Sequence, residues 1–166
     1  QKPHWIKVPI YSSKTDEVKR TLELNRIVTV CEEAMCPNIS SCWSKKHATF
    51  MILGDTCTRS CSFCNIQTGK PNPIDPLEPI RVANSVKQLG LTHVVITSVD
   101  RDDLDDGGAQ HFYETINQIK KKCIDTTIEI LTPDFKNKPS AIEVISKCPI
   151  DAVSYTHLTL PTSSWV

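Results

Sequence analysis

Apolar positions follow two alternating rhythms along this chain. Unbroken or nearly unbroken runs occur at Ala48-Thr49-Phe50-Met51-Ile52-Leu53, His93-Val94-Val95-Ile96-Thr97-Ser98 and Thr127-Ile128-Glu129-Ile130-Leu131. Runs of this length, rich in β-branched residues, are the pattern of strands buried in a parallel sheet. Between them the spacing changes to threes and fours. Val82, Val86 and Leu89, stopped by Gly90, predict a helix from about residue 80 to 89. Ala109, Phe112, Ile116, Ile119 and Cys123, with Lys120 to Lys122 at the negative end, predict the clearest helix of the chain. A helix over about 140–147 has Pro139 in its first turn, and residues 150–154 make a possible fourth strand. Upstream, Asp16 and Glu17 at a helix start and Val18 and Leu22 on one face predict a helix over about 16–27. Residues 1–13, with Pro3 and Pro9, read as irregular, residues 31–42 as a cysteine-bearing loop, and residues 57–79 as a loop broken by four prolines.

Strands alternating with amphipathic helices give an α/β fold with parallel pairing and right-handed crossovers. Three or four βα units make an open sheet or part of a barrel. In both, function sits in the loops that follow the strands. Residues 57–64 and 97–106 fall on that face.

Composition adds limits. One ordinary domain fits 166 residues, and 39% hydrophobic content supplies a core. Nineteen basic residues cancel nineteen acidic ones, so no electrostatic footprint argues for nucleic acid. No apolar run reaches the ~18 residues of a membrane span. The start, Gln1 to Lys7, lacks the apolar centre of a signal peptide and is not a clear transit peptide. The expected setting is bacterial cytoplasm, or the mitochondrial matrix if the source is eukaryotic.

Eight cysteines change the picture more than charge does. Six form two tight groups, Cys31-x4-Cys36-x5-Cys42 and Cys57-x3-Cys61-x2-Cys64, which favours ligand use in a reducing compartment over disulfides. Cys123 and Cys148 stand apart and read as small buried hydrophobes. Thiolates suit zinc or iron–sulfur clusters. A structural zinc site closes with four ligands, whereas each group offers three; two groups could share zinc, with His47 completing a site. The other reading is two iron–sulfur cubes, each held by three thiolates, with an iron left open to chemistry.

The second cysteine group, with Phe63 before its last member and a strand before it, resembles the radical S-adenosylmethionine (SAM) enzymes. Surrounding text narrows the resemblance to the lipoyl synthase family: Cys31-Glu32-Glu33-Ala34 with Cys36-Pro37-Asn38, Gly54-Asp55-Thr56-Cys57-Thr58-Arg59, Thr68-Gly69-Lys70-Pro71, Thr97 to Leu104, Asp106-Gly107-Gly108-Ala109 and Glu129 to Phe135. It covers about residues 3–151. The resemblance implies a partial radical SAM (βα) barrel with an N-terminal extension that carries an auxiliary cluster. It implies that Cys57, Cys61 and Cys64 hold the catalytic [4Fe-4S] cluster that binds SAM. One electron then releases a 5′-deoxyadenosyl radical, which takes hydrogen from an octanoyl chain on a carrier lysine. It further implies that Cys31, Cys36 and Cys42 hold an auxiliary [4Fe-4S] cluster consumed as sulfur donor, with sulfur inserted at carbons six and eight. Phe63, Thr97, Ser98 and Asp100 are the expected cofactor contacts; the last three equally suit capping and turning their loop. Asp102, Asp103, Asp105 and Asp106 read as a solvated run at a helix start rather than a metal site. His93 and His111 read as structural. Implied partners are octanoylated carrier domains, a low-potential electron donor and a cluster carrier. A metal-binding module without catalysis, holding zinc or one cluster, is the alternative.

The expected organisation is an extension over 1–46, a partial barrel over 47–154 and a tail over 155–166 that departs from the family's text. Ser163-Ser164-Trp165 only faintly echoes the family's terminal serine motif, and that ligand role is not transferred. The expectation is a truncated or mis-joined reading frame, poorly soluble or dimeric, with weak or absent turnover.

Overall fold

The computed structural model describes residues 13–33, 36–62 and 64–154. The expectations for residues 1–12, for Phe63 and for the tail fall outside the described residues.

The chain enters through α1 (Ser13–Leu24), β1 (Val28–Thr29), α2 (Val30–Glu33) and α3 (Ile39–Ser44). It continues with β2 (His47–Ile52), β3 (Thr56–Cys57), β4 (Gln67–Thr68) and α4 (Glu78–Leu89). The remainder is β5 (His93–Ser98), α5 (Ala109–Lys122), β6 (Thr127–Leu131), a 3-10 turn (Phe135–Asn137), α6 (Pro139–Ser146) and β7 (Ala152–Val153).

All three apolar runs become parallel neighbours. The main sheet has the order β1-β2-β5-β6-β7, parallel throughout except β1, which is antiparallel to β2. Each βα unit adds its strand on the same side of the last. With right-handed crossovers, such one-way winding puts every crossover helix on the same face. Burial agrees. Ala48, Phe50, Ile52, Val94, Ile96, Ile128 and Ile130 share one face by register and are buried. They join Val82, Val86, Phe112, Ile116 and Ile119 of α4 and α5 in one core. On the opposite face Met51 and Thr97 are buried, but Thr49, Val95, Glu129 and Leu131 are only half-buried.

Several boundaries differ from the sequence expectation, each for a local reason. α1 ends at Leu24, not near residue 27, because Arg26 turns left-handed (φ 53°) and the Ile27 N–H returns to the Leu22 carbonyl at 3.0 Å. That closure satisfies an orphan carbonyl and frees Ile27 to lead into the edge strand. The cysteine-bearing segment over 31–42 is not all loop; it carries α2 and α3, too short for apolar periodicity to show. Within the proline-broken segment, β3 and β4 pair in parallel through Thr56–Gln67 and Cys57–Thr68. α4 starts two residues early with Pro79 in its first turn, where a missing N–H costs nothing. It stops at Gly90 (φ 57°), as its sequence indicates.

Cys148 is buried as expected, and burial pushes its thiol up to about 11; Cys123, just past α5, is half-buried. No helix among the described residues is long and apolar enough to cross a membrane.

Ile96 lies fully buried between Phe50 and Ile130 in register. Ile96→Ala should cost about 2–5 kcal/mol by transfer and cavity terms. Ile142→Ala, at a position 63% exposed, should stay within about 0.5 kcal/mol. Urea unfolding of both variants checks the assignment of the sealed face.

Candidate functional site

Three loops gather at the carboxyl ends of β2, β5 and β6. The first leaves β2 by an abrupt turn: Leu53 (φ 69°) and Gly54 (φ 93°) are both left-handed. This lifts the chain off the sheet and starts β3, which ends at Cys57. Backbone bonds then pin the loop to its neighbour. Thr58 donates from its N–H (3.0 Å) and hydroxyl (2.9 Å) to the Asp100 carbonyl, while the Asp102 N–H donates to the Thr58 hydroxyl oxygen at 3.1 Å.

Cys57 is the buried member of its group. Its sulfur accepts from the backbone N–H of Asp100 at 3.3 Å and of Arg59 at 3.4 Å. Its thiol points at Asp100 Oδ2, 3.8 Å away. Burial pushes the Cys57 thiol up, against the pull of those two N–H groups. Cys61 is half-buried and Cys64 exposed, and the Cys64 N–H turns back to the Cys61 carbonyl at 3.1 Å. Cys61 is also raised, by burial first and then by the negative charge of Asp100. Both Cys57 and Cys64 add to that rise, so the three sulfurs lie within electrostatic reach of one another. Cations bound by these sulfurs must displace protons that the apo site holds.

Arg59, between the first two cysteines, binds all three loops together. Its Nε and one Nη contact both Asp102 oxygens at 2.8 Å, and the same Nη reaches Asp134 at 2.8 Å. The other Nη lies 3.5 Å from Asp100. The side chain is only 11% exposed. The Asp102 bond, foremost, holds its guanidinium far above the ordinary value. In return Arg59 holds Asp102 below the usual carboxylate range. Burial would push Asp134 up, but Arg59 and the Lys136 N–H outweigh it and the group sits low. Asp100 is instead pushed up, by burial first, despite Arg59. Lys136 adds a 3.4 Å contact to Asp102.

Other expected contacts sort themselves by partner. The Thr97 hydroxyl donates to the Leu131 carbonyl at 3.1 Å and so joins β5 to β6. Ser98 ends β5 with a buried hydroxyl that has no hydrogen-bond partner among the described residues. A buried hydroxyl without a partner is costly unless a ligand meets it. Asp103 pairs with Arg101 at 2.8 Å, and Asp106 accepts from the Gly108 and Gln110 N–H groups at the start of α5. The aspartate run is thus divided between ion pairing and helix capping.

Cys31 lies in α2 and Cys42 in α3, with Cys36 in the connection between them. The Cys36 N–H bonds the Cys31 carbonyl at 3.0 Å, and the Cys42 N–H bonds Asn38 at 3.0 Å. Burial pushes the Cys31 thiol up, while the backbone and hydroxyl of Thr49 pull it down. Trp43 is buried with its indole N–H outside bonding geometry to any described acceptor, yet it too lowers the Cys31 thiol. Thr49 belongs to the half-buried face of β2. One strand therefore has Cys31 against its middle and Cys57 beyond its end. His47 is exposed at the strand's start, its ring edge on His93 with centroids 5.4 Å apart.

Among the described residues no three His, Cys, Asp or Glu side chains gather about a point that could hold one metal ion. A four-iron cube makes a different demand, since each thiolate binds its own iron around a larger body. One loop with three thiols, its buried sulfur met by two N–H donors and a buried free hydroxyl at the next strand end, fits such a group.

Sequence reasoning missed Arg59, Arg101, Asp102 and Asp134 as site residues. Their signal was an arginine among cysteines together with an Asp-Arg-Asp-Asp run after a strand, which reads as solvated charge until the loops meet.

Depressed carboxylates stabilise the fold above their unfolded pKa of about 4, and that contribution is lost as pH falls through their folded values. Arg59→Ala should therefore lower the urea midpoint at pH 7 and flatten its decline as pH falls below about 4. Arg59→Lys should not restore it, because an ammonium cannot make the paired contact.

The Radical SAM superfamily model matches residues 51–161, about two thirds of the chain. The matched region holds the end of β2, the three-cysteine loop, Ser98, Asp100 and the Arg59 network. Members are enzymes that use a [4Fe-4S] cluster and SAM. The fold, the loop and the match agree, and the chain belongs to the Radical SAM superfamily.

Proposed function

We propose that this chain is of the lipoyl synthase kind: it inserts two sulfur atoms, at carbons six and eight, into an octanoyl chain carried on a protein lysine. The observation that carries the reading is the second three-cysteine group, whose Cys31 meets the same strand that delivers the first. Cys31 lies against Thr49 on the face away from α4 and α5. One-way strand winding supports reading this face as the inner wall of a partial barrel, where a long acyl chain would meet both groups.

Cys57, Cys61 and Cys64 would hold the SAM-binding cluster, and Cys31, Cys36 and Cys42 an auxiliary one. When bound, these groups supply an electron for radical formation from SAM and the sulfur that is inserted. The chain's own residues set the conditions. N–H groups of Arg59 and Asp100 stabilise thiolate charge on Cys57 and tune the potential of what it binds. The Ser98 hydroxyl is free to meet the amino-acid end of SAM, and Asp100 stands beside Cys57 for the same task. Thr97 is committed to Leu131, so its contribution is placement of the β5 end. Octanoylated carrier domains, a low-potential donor and a cluster carrier follow as partners.

Anaerobic reconstitution separates the readings. About eight irons with matching sulfide per chain are expected from two cubes. Cys57→Ala, Cys61→Ala or Cys64→Ala should abolish 5′-deoxyadenosine formation, seen by mass spectrometry. Cys31→Ala, Cys36→Ala or Cys42→Ala should keep 5′-deoxyadenosine, halve the iron and end sulfur insertion. Zinc without sulfide would instead support a non-catalytic metal module.

A further inference from the structure

Leu53 is an L-residue held in the left-handed region, at φ 69°. This conformation is disfavoured for an L-residue and persists only where surroundings impose it. Two side chains from other elements impose it here. Glu78 Oε2, on the first residue of α4, accepts the Leu53 N–H at 2.8 Å. Arg101 Nη1 donates to the Leu53 carbonyl at 3.1 Å. Arg101 is 4% exposed, and its other two contacts go to Asp103. Behind Glu78 stands His111 of α5, its Nε2 2.6 Å from the same Oε2. A carboxylate only accepts, so Nε2 carries the proton. The Leu53 side chain rests on Gly108, where an added Cβ would stand 2.3 Å from Cδ1.

Leu53 is also 3% exposed and belongs to the core. Leu53, Gly54, Asp55 and Thr56 line an open cavity of about 240 Å³ that also includes Arg26 and Pro71. The hydrogen bonds to the Leu53 peptide therefore add to its side-chain packing in fixing the base of the cysteine loop.

We propose that Glu78 and Arg101, with His111 behind Glu78, are positioning residues that grip the Leu53 peptide and thereby set where Cys57 stands. The proposal rests on the reading of Cys57 as a cluster ligand. Only Gly54, Asp55 and Thr56 separate Leu53 from Cys57, so a change of its φ and ψ moves the whole strand end on which that cysteine sits.

The test begins with amide hydrogen exchange on the full chain without cluster. Glu78→Ala should speed exchange at Leu53 about tenfold or more, as loss of a bond to a charged acceptor implies. Glu78→Gln, which keeps an acceptor oxygen, should restore most of the protection. Gly108→Ala should disturb the same amide from the side-chain direction. Thr126→Val is the control for general loss of stability, since the buried Thr126 hydroxyl bonds the Leu91 carbonyl, at the opposite end of the strands from the loop. In reconstituted protein, Glu78→Ala should keep its iron but need about tenfold more SAM for the SAM-dependent change in the spectrum of the reduced cluster; Thr126→Val should not. Unchanged Leu53 exchange in Glu78→Ala, or an equal rise in Thr126→Val, overturns the proposal alone. A wild-type chain that takes up iron and sulfide with no SAM-dependent change overturns the reading of Cys57, and the proposal with it.

Discussion

One guanidinium holds the site together. Arg59 lies between two cysteines of the loop after β2, and it grips carboxylates from the loops after β5 and β6. Surface ion pairs contribute about 0–1 kcal/mol, while breaking a buried pair costs about 3–5 kcal/mol. With 11% of Arg59 exposed and 20% of Asp102, this network belongs nearer the second case. Its planar fork also fixes direction, which a lysine would not. Thr58, bonded twice to the Asp100 carbonyl, adds backbone cross-links to the same pair of loops. What Arg59 anchors is the one buried thiol of its group, already held by two N–H donors.

That arrangement follows from topology. Strands added in one direction place every crossover helix on one face and every post-strand loop at one end. The sealed face carries stability through Phe50, Ile96, Phe112 and their neighbours. Polar and reactive groups are left to the strand ends and to the half-buried face, where Thr49 meets Cys31. Stability and chemistry thus sit on different surfaces of the same strands.

The central strands and α4 and α5 were legible because long apolar runs and helical spacing are local signals. Both cysteine groups were legible as spacing. What lay beyond sequence was chiefly pairing. Two-residue strands such as β3 and β4 have no periodicity to read. Arg101 looks like a solvated loop charge, yet it is buried against the Leu53 carbonyl. Asp102 and Asp103 read as part of an acidic run, whereas each is the partner of a different arginine. The early end of α1 depended on a left-handed Arg26, which nothing in the residue type signals. Ser98 and Thr97 were read together, but only contact shows that one hydroxyl is spent on β6 and the other has no partner among the described residues.

The central claim is that Cys57, Cys61 and Cys64 form a three-thiolate seat that leaves one iron open to SAM. Low-temperature electron paramagnetic resonance of the anaerobically reconstituted, reduced chain tests it most directly, with the Cys31→Ala variant used to isolate this seat. The expected result is a reduced-cluster signal whose shape changes when SAM is added and is lost in Cys57→Ala. A signal indifferent to SAM, or one that survives Cys57→Ala, would contradict the account.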